Sequence, residues 1–255
     1  MYSGSCNVHS TTQMIAKALV ETIAEVTQTR IVVNEYAGHH THIGECIGCT
    51  QCFIRGNCVL DSTDDMREIR EKMMAADCII MGSPVYFHAV SGNMKKLMDR
   101  LSYWTHTMEL TGKLGIVIAT SGGNGLNYVS EYLNKFMDYL GIINVGIIEA
   151  VTYYESYMKE NQVLESIRPK LLECAHEVNR YVLEGHIPRS SELQKKVFRM
   201  NNQKYMELEA YQDDIAEVRK WHDHDYTSYE EYDDVIERLY KNQNRNGNRN
   251  KAEGL

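Results

Sequence analysis

Hydrophobic positions follow two rhythms through the first 150 residues of the chain. From Thr11 to about Thr27, Met14, Ile15, Ala18, Leu19, Ile23 and Val26 recur at helical intervals behind a Ser/Thr cluster able to cap the first turn. A second amphipathic helix opens at Asp64-Asp65 and continues through Met66, Ile69, Met73 and Met74; a third is marked by Met94, Leu97, Met98, Leu101 and Trp104. Short apolar runs alternate with these helices. The β-branched Ile31-Val-Val33, the run from Cys78 to Met81 and the run Gly115-Ile-Val-Ile-Ala119 predict strands. The glycine-rich Ser121-Gly-Gly-Asn-Gly125 leads into a helix reaching about Leu140, and Ile142-Ile143 with Val145 to Val151 predicts a last strand broken at Gly146. The strands are apolar throughout instead of alternating, so both faces are buried. That combination predicts an α/β, doubly wound parallel sheet over residues 1–152.

Beyond Val151 the strand signal stops. Helical patterns over roughly 160–184 and 190–221 predict a C-terminal helical extension, residues 153–241, and no internal repeat of useful length is present. Between Glu207 and Glu237 twelve acidic residues face two basic ones, with Tyr211, Trp221, Tyr226, Tyr229 and Tyr232 interleaved. Such a charge run predicts a solvated face with some packing; the aromatics also suit an arm folded over a neighbouring subunit. The low-complexity end, Asn242 to Asn250, predicts a disordered tail over 242–255.

With 43% hydrophobic and 24% charged residues, the 255-residue chain excludes the disordered, collagen-like and disulfide-scaffold classes. No apolar run approaches the roughly 18 to 20 residues that cross a bilayer, and no basic segment precedes an apolar one at the start, so neither a membrane span nor a signal peptide is expected. A cytoplasmic location follows as the expectation. The net charge of −8 argues against sequence-independent nucleic-acid binding, because Lys+Arg (27) are outnumbered by Asp+Glu (35). Small molecules or basic protein surfaces are the expected partners.

Four of the seven cysteines crowd into one stretch, Cys46, Cys49, Cys52 and Cys58. An odd total and this crowding argue against a disulfide framework, which leaves metal ligation, redox chemistry or plain burial. Three thiolates at two-residue intervals can wrap three corners of a cubic [4Fe-4S] cluster, with a fourth closing it; structural zinc more often draws two separated pairs. Unmetallated loop thiols are the other reading. His39, His40 and His42 lie nearby but read as a polar surface loop. Cys6 and Cys174 stand alone, and Cys78 reads as a small buried hydrophobe.

In a doubly wound sheet the loops after the strands meet in one crevice, and three loops here suit a flavin mononucleotide (FMN). The first, Gly4 to Thr12, places Ser5, Asn7, Ser10, Thr11 and Thr12 at a helix N-terminus, a phosphate cradle of the helix-dipole kind, although a plain helix cap would look the same. It carries neither a Walker Gly-Lys-Ser/Thr nor a Gly-x-Gly-x-x-Gly. The second, with Pro84, Val85, Tyr86 and Phe87, offers aromatic rings and backbone amides to the edge of a planar ring system, with core packing as the alternative for Tyr86 and Phe87. The third, with Ser121, Gly122 and Gly123, lets the backbone approach that ring closely. No Ser-His-Asp order or carboxylate pair stands out, so no acid–base catalytic residue is nominated.

Gly4-Ser5 with a polar loop and Thr12, the Cys46–Cys58 run leading into Asp64-Asp65-Met66, and Gly82-Ser-Pro-Val-Tyr-Phe87 with Ser91-Gly92 and Met94-Lys95 together resemble the NADPH-dependent FMN reductase family, nearest its iron-sulfur flavoprotein branch. The resemblance covers about residues 3–150. It implies a flavodoxin-like fold, noncovalent FMN on the three loops, NAD(P)H as co-substrate, and homodimers or homotetramers that complete the flavin site between subunits. It also implies electron transfer to or from small-molecule or protein donors and acceptors. In the iron-sulfur branch the compact cysteine motif carries a [4Fe-4S] cluster. Cluster-free quinone or flavin reduction, and a non-catalytic carrier or docking role, are the alternatives. Two features depart from the pattern. Only Met1-Tyr2 stands where a central strand of about five residues is expected, so that strand is largely missing and the start is expected to lie upstream. Cys6 and Asn7 also replace the family's usual proline and basic residue.

Overall fold

A computed structural model of the chain describes residues 1–152, 160–211 and 213–252. Strands β1 (Tyr2–Ser3), β2 (Tyr36–Ala37), β3 (Cys78–Pro84), β4 (Leu114–Ser121) and β5 (Ile143–Val151) form one sheet in the order β2-β1-β3-β4-β5. Every pairing is parallel. Helices α1 (Thr11–Thr27), α3 (Met66–Ala75), α4 (Gly92–Leu101) and α6 (Leu126–Leu140) make the crossovers, while short α2 (Gln51–Arg55) lies in the cysteine loop and α5 (Trp104–Thr107) follows α4. This is the flavodoxin-like order.

Side-chain alternation along the strands splits the core in two. Ile80, Ile116, Ile118 and Ile148 face α1 and α7 (Glu160–Val182), meeting Ile15, Leu19, Ile167 and Leu171. Their neighbours Ile79, Met81, Val117 and Ala119 face α3, α4 and α6, meeting Ile69, Leu97 and Leu133. Burial on both faces is why these strands read as unbroken apolar runs.

The short first strand keeps its central place. Tyr2 and Ser3 pair with Tyr36 and Ala37 on one side and with Met81 and Gly82 on the other, so Cys78, Ile79 and Ile80 pair only with β4. The α-amino group of Met1 donates to Asn34 O at 2.7 Å. Burial lowers its pKa, against the opposing charges of Cys78 and Glu35. The expected strand at Ile31–Val33 is not formed. Val32 and Val33 are exposed, and β2 starts at Tyr36, where the chain reaches β1.

The extension builds a third core. Helices α8 (Glu192–Glu207) and α9 (Ala216–Asp223) replace the single helical stretch expected over 190–221, because the α-helix ends at Glu207 and gives way to a 3-10 turn at Glu209–Tyr211. With α10 (Tyr232–Ala252) they bury Phe198, Tyr205, Trp221, Tyr226 and Tyr232 beside Met108 and Ile143. Trp221 is fully buried and donates from Nε1 to Asn202 Oδ1 at 3.1 Å. Asp213, Asp214, Asp223, Asp225, Glu230 and Glu231 stay exposed, in keeping with a solvated face, but the Glu217 side chain is only 11% exposed and the aromatics pack far more completely than expected. Of the tail expected over 242–255, residues up to Ala252 continue α10, which starts from buried turns at Tyr232, Val235, Ile236 and Tyr240, and residues 253–255 lie outside the described residues. Among the described residues no helix is long and apolar enough to cross a membrane.

Candidate functional site

Three loops stand side by side at the carboxyl ends of β1, β3 and β4. The first coils on its own side chains before entering α1. Ser5 Oγ accepts from Asn7 N at 3.2 Å, Asn7 Oδ1 from His9 N at 2.9 Å, and Ser10 Oγ caps the helix by accepting from Gln13 N at 3.3 Å. Ser5 and Ser10 are buried, Cys6 to His9 are exposed and Thr11 is half-buried. No acidic residue occupies the first turn of α1, so its positive end is uncompensated. Thr12 differs from its expected role. It is 1% exposed, and its Oγ1 lies 2.6 Å from Thr120 Oγ1, which makes it an internal strut between α1 and β4.

The second loop leaves β3 at Pro84. Val85 N donates to Thr120 O at 2.8 Å, after which Tyr86 and Ala89 exchange both backbone hydrogen bonds at 3.0 Å. The two residues between them, Phe87 and His88, have φ of 49° and 59°. Positive φ at both central positions marks a type I′ turn, where Asn and Gly are the usual residues. A phenylalanine and a histidine held there carry backbone strain. Phe87 is fully exposed and Tyr86 is 58% exposed, so the strained turn presents its rings to solvent instead of to the core.

In the third loop Ser121 Oγ donates to Asn124 O at 2.6 Å and accepts from Gly123 N at 3.2 Å. A Cβ built on Gly122 or Gly123 meets nothing within 4 Å, so the space over this backbone is free of protein atoms. Gly125, at φ +83°, is different: a Cβ there would come within 2.6 Å of His88 Cδ2 and 2.9 Å of Val85 Cγ1. Glycine is required where the second and third loops touch.

The loops are also tied to one another. Ser91 Oγ donates to Gly4 O at 2.6 Å and accepts from Met94 N at 3.3 Å, joining the first loop to the start of α4. Asn93 Nδ2 donates to Cys6 Sγ at 2.7 Å and to Gly38 O at 3.2 Å. His88 stacks on Tyr128 at 5.0 Å, with its Nε2 3.4 Å from Asn124 Oδ1. Ser91, Asn93, His88, Asn124 and Tyr128 were not among the sequence candidates. Ser91 carried a readable signal, a serine directly before an amphipathic helix.

The four clustered cysteines share one segment running from Ile43 to Asp65. Cys46 and Cys49 are exposed, Cys52 and Cys58 half-buried, and all are free thiols. Burial pushes the Cys52 thiol up, and the neighbouring Cys58 and Cys46 push it the same way. Among the described residues no three His, Cys, Asp or Glu side chains gather closely enough to hold a metal ion. His39, His40 and His42 are exposed, in keeping with a surface loop. Beneath the loop lie two buried guanidiniums: Arg100, whose Nε–H has no acceptor, and Arg70, whose Nη1 has none. Buried donors at the base of the cysteine segment suit an anionic iron–sulfur group, while the four thiols themselves are not gathered around one point; the open backbone at Gly122-Gly123 fits a planar ring. Cys78 and Cys174 belong to the core instead, with burial raising their thiols to about 12 and about 11.

Fold and crevice together define a flavodoxin-like α/β protein with its candidate site at the strand ends. The NADPH-dependent FMN reductase family model matches residues 1–153, and the chain belongs to that oxidoreductase family. It is 32% identical over 132 residues to an iron-sulfur flavoprotein of Archaeoglobus fulgidus, a match covering 51% of this chain and 59% of that one. To an iron-sulfur flavoprotein of Methanocaldococcus jannaschii it is 31% identical over 154 residues, covering 60% and 77%. The chain thus spans little more than half the length of the Archaeoglobus relative. Among solved structures, an oxidoreductase from Corynebacterium diphtheriae superposes with a TM-score of 0.52 at 17% identity, over 72% of this chain and 94% of that one.

Proposed function

We propose that the chain is an FMN-dependent oxidoreductase that takes reducing equivalents from NAD(P)H and passes them on through a [4Fe-4S] cluster held by Cys46, Cys49, Cys52 and Cys58. The observation that carries the flavin part is the interlocked crevice. Three loops tied by Ser91–Gly4, Thr12–Thr120 and Val85–Thr120 leave open space over Gly122 and Gly123. FMN supplies the redox chemistry when bound, accepting hydride as an electron pair and releasing electrons singly.

The protein's part is to bind, orient and shield. Backbone N–H groups of the first turn of α1, with Ser5, Asn7 and Thr11, bind the phosphate. Gly122 and Gly123 admit the ring face, and Tyr86 and Phe87 cover its edge. The exposed rings of Tyr86 and Phe87 suit closure by a second copy of the chain, in a homodimer or homotetramer. Seven free cysteines suit a reducing, cytoplasmic setting.

A second reading, cluster-free reduction of a quinone or flavin, is favoured by one observation: the described residues do not gather three ligand side chains. Anaerobic reconstitution with FMN, iron and sulfide separates the two. About four irons and four sulfides per chain, with a visible band beyond that of flavin, support the cluster. Yellow protein without iron supports the second reading, and colourless protein refutes both.

A further inference from the structure

The segment that carries the four cysteines is closed at its base. On the upstream side His42 N donates to Asp65 Oδ2 at 2.7 Å and Gly44 N to Asp64 Oδ2 at 2.9 Å. On the downstream side Cys58 N donates to Asp61 Oδ2 at 3.3 Å. Arg100, reaching in from α4, joins the two sides: it donates to Gly44 O at 3.1 Å, to Asp61 Oδ1 at 3.2 Å and to Asp64. Its link to Cys58 runs through Asp61, which takes the Arg100 guanidinium on one carboxylate oxygen and the Cys58 backbone N–H on the other.

Charge and burial make this arrangement unusual for a surface loop. The Arg100 side chain is fully shielded from solvent, as nearly is Asp64, and Arg70 pairs with Asp61 from the other side. Two cations against two carboxylates balance, yet each guanidinium keeps an N–H without an acceptor. A buried, unsatisfied donor on a charged group is expensive, so such donors mark places where an anionic acceptor belongs.

We propose that Arg100 is the positioning residue of the cysteine loop, clasping Gly44 before the first cysteine and Asp61 and Asp64 after the last, so that Cys58, whose backbone N–H donates to Asp61, is held in place at the closed base of the loop. A sulfur ligand so placed is ready to take a corner of an anionic metal–sulfur group. That last step rests on the cluster reading above; the clasp itself does not. The same helix begins at Ser91, which holds Gly4 of the first loop, so one rigid element of about 14 Å, from Ser91 to Arg100, spaces the phosphate loop from the cysteine loop.

The test uses the full metal-free chain under anaerobic conditions, pulsed with iodoacetamide and read cysteine by cysteine by mass spectrometry. In the unmodified chain Cys58 is expected to label about threefold more slowly than exposed Cys46 and Cys49, as a half-buried thiol whose loop is pinned at its base. Arg100→Met should abolish that difference, and Arg100→Lys, which keeps charge but not the fork, should restore part of it. Far-UV circular dichroism and a cooperative thermal melt report whether each variant is folded. If Arg100→Met does not fold, Asp61→Asn should release Cys58 alone. Unchanged Cys58 labelling in a folded variant overturns the assignment.

Reconstitution with iron and sulfide then reads the second half. Arg100→Met is expected to retain less iron than the unmodified chain, and Arg100→Lys to give a cluster of lower midpoint potential, since weaker donation to sulfur disfavours the reduced state. Should the unmodified chain bind no iron while labelling responds as described, the cluster reading fails and the clasp stands. Should iron content, potential and labelling all be unchanged in Arg100→Met, the clasp fails and the cluster reading stands.

Discussion

The turn at Phe87-His88 makes a prediction in which stability and binding move in opposite directions. Phe87 sits at φ 49° with its side chain fully exposed, so replacing it loses no buried contact. A non-glycine residue in left-handed geometry costs about 1 to 2 kcal/mol, and asparagine is among those that tolerate it best. Phe87→Asn should therefore stabilise the flavin-free protein by about 1 kcal/mol, an upward shift in Tm of about 2 to 4 °C for a chain of this size. If Phe87 covers the ring, the same substitution removes an aromatic contact worth about 1 kcal/mol and weakens FMN binding about fivefold. Thermal melts of flavin-free protein read the first effect, and titration with FMN followed by quenching of its fluorescence reads the second. A lower Tm would refute the strain argument. A higher Tm with unchanged FMN affinity would show that Phe87 does not touch the flavin.

Gly125→Ala should destabilise the chain by about 2 to 3 kcal/mol and weaken FMN binding, since a Cβ at φ +83° meets His88 and Val85; a denaturant midpoint equal to that of the unmodified chain would contradict this. The docking of the extension should be acid-sensitive. Burial raises the carboxyl of Glu109, but the nearby His224 ring, hydrogen bonds from Lys220 and Thr107 and the Lys220 charge outweigh it and hold it at about 2; Glu217 is likewise raised by burial and brought to about 2 by His106, Lys204 and Tyr205. Both folded values lie below the ordinary 4.5, so the stabilisation is present above pH 4.5 and is lost as pH falls towards 2. Each carboxylate contributes on the order of 3 kcal/mol. Acid titration followed by Trp221 fluorescence should show that loss, and the double variant Glu109→Gln/Glu217→Gln should flatten it; an unaltered profile would rule out these two groups.

Much of this architecture was written in local pattern. β3 and β4 were readable because burial on both faces demands unbroken apolar runs, and α1 because its apolar stripe follows a serine cap. β2 was not, because Tyr36-Ala37 is a strand only through its pairing with β1, whereas the β-branched Ile31–Val33 lacks a partner strand. The helical signal over 190–221 ran straight across the break at Leu208–Ile215, where tertiary packing around Trp221 decides the path. At the site, small and aromatic residues after three strands announced the crevice, but no sequence rule places Phe87 and His88 in left-handed geometry. Thr12 looked like every other hydroxyl of the first loop until its pairing with Thr120 came into view. Nothing in the sequence singles out Arg100, because its partners lie 36 to 56 residues away and become neighbours only when the sheet is wound.

The account stands on the three loops gripping a phosphate-bearing flavin. Calorimetric titration of the flavin-free chain with FMN and, separately, with riboflavin tests this directly, because the two ligands differ only in the phosphate. The prediction is one FMN per chain, bound about a hundredfold more tightly than riboflavin, as charge-assisted hydrogen bonds to a helix N-terminus would give. Equal affinity for the two, or no heat with either, would contradict it.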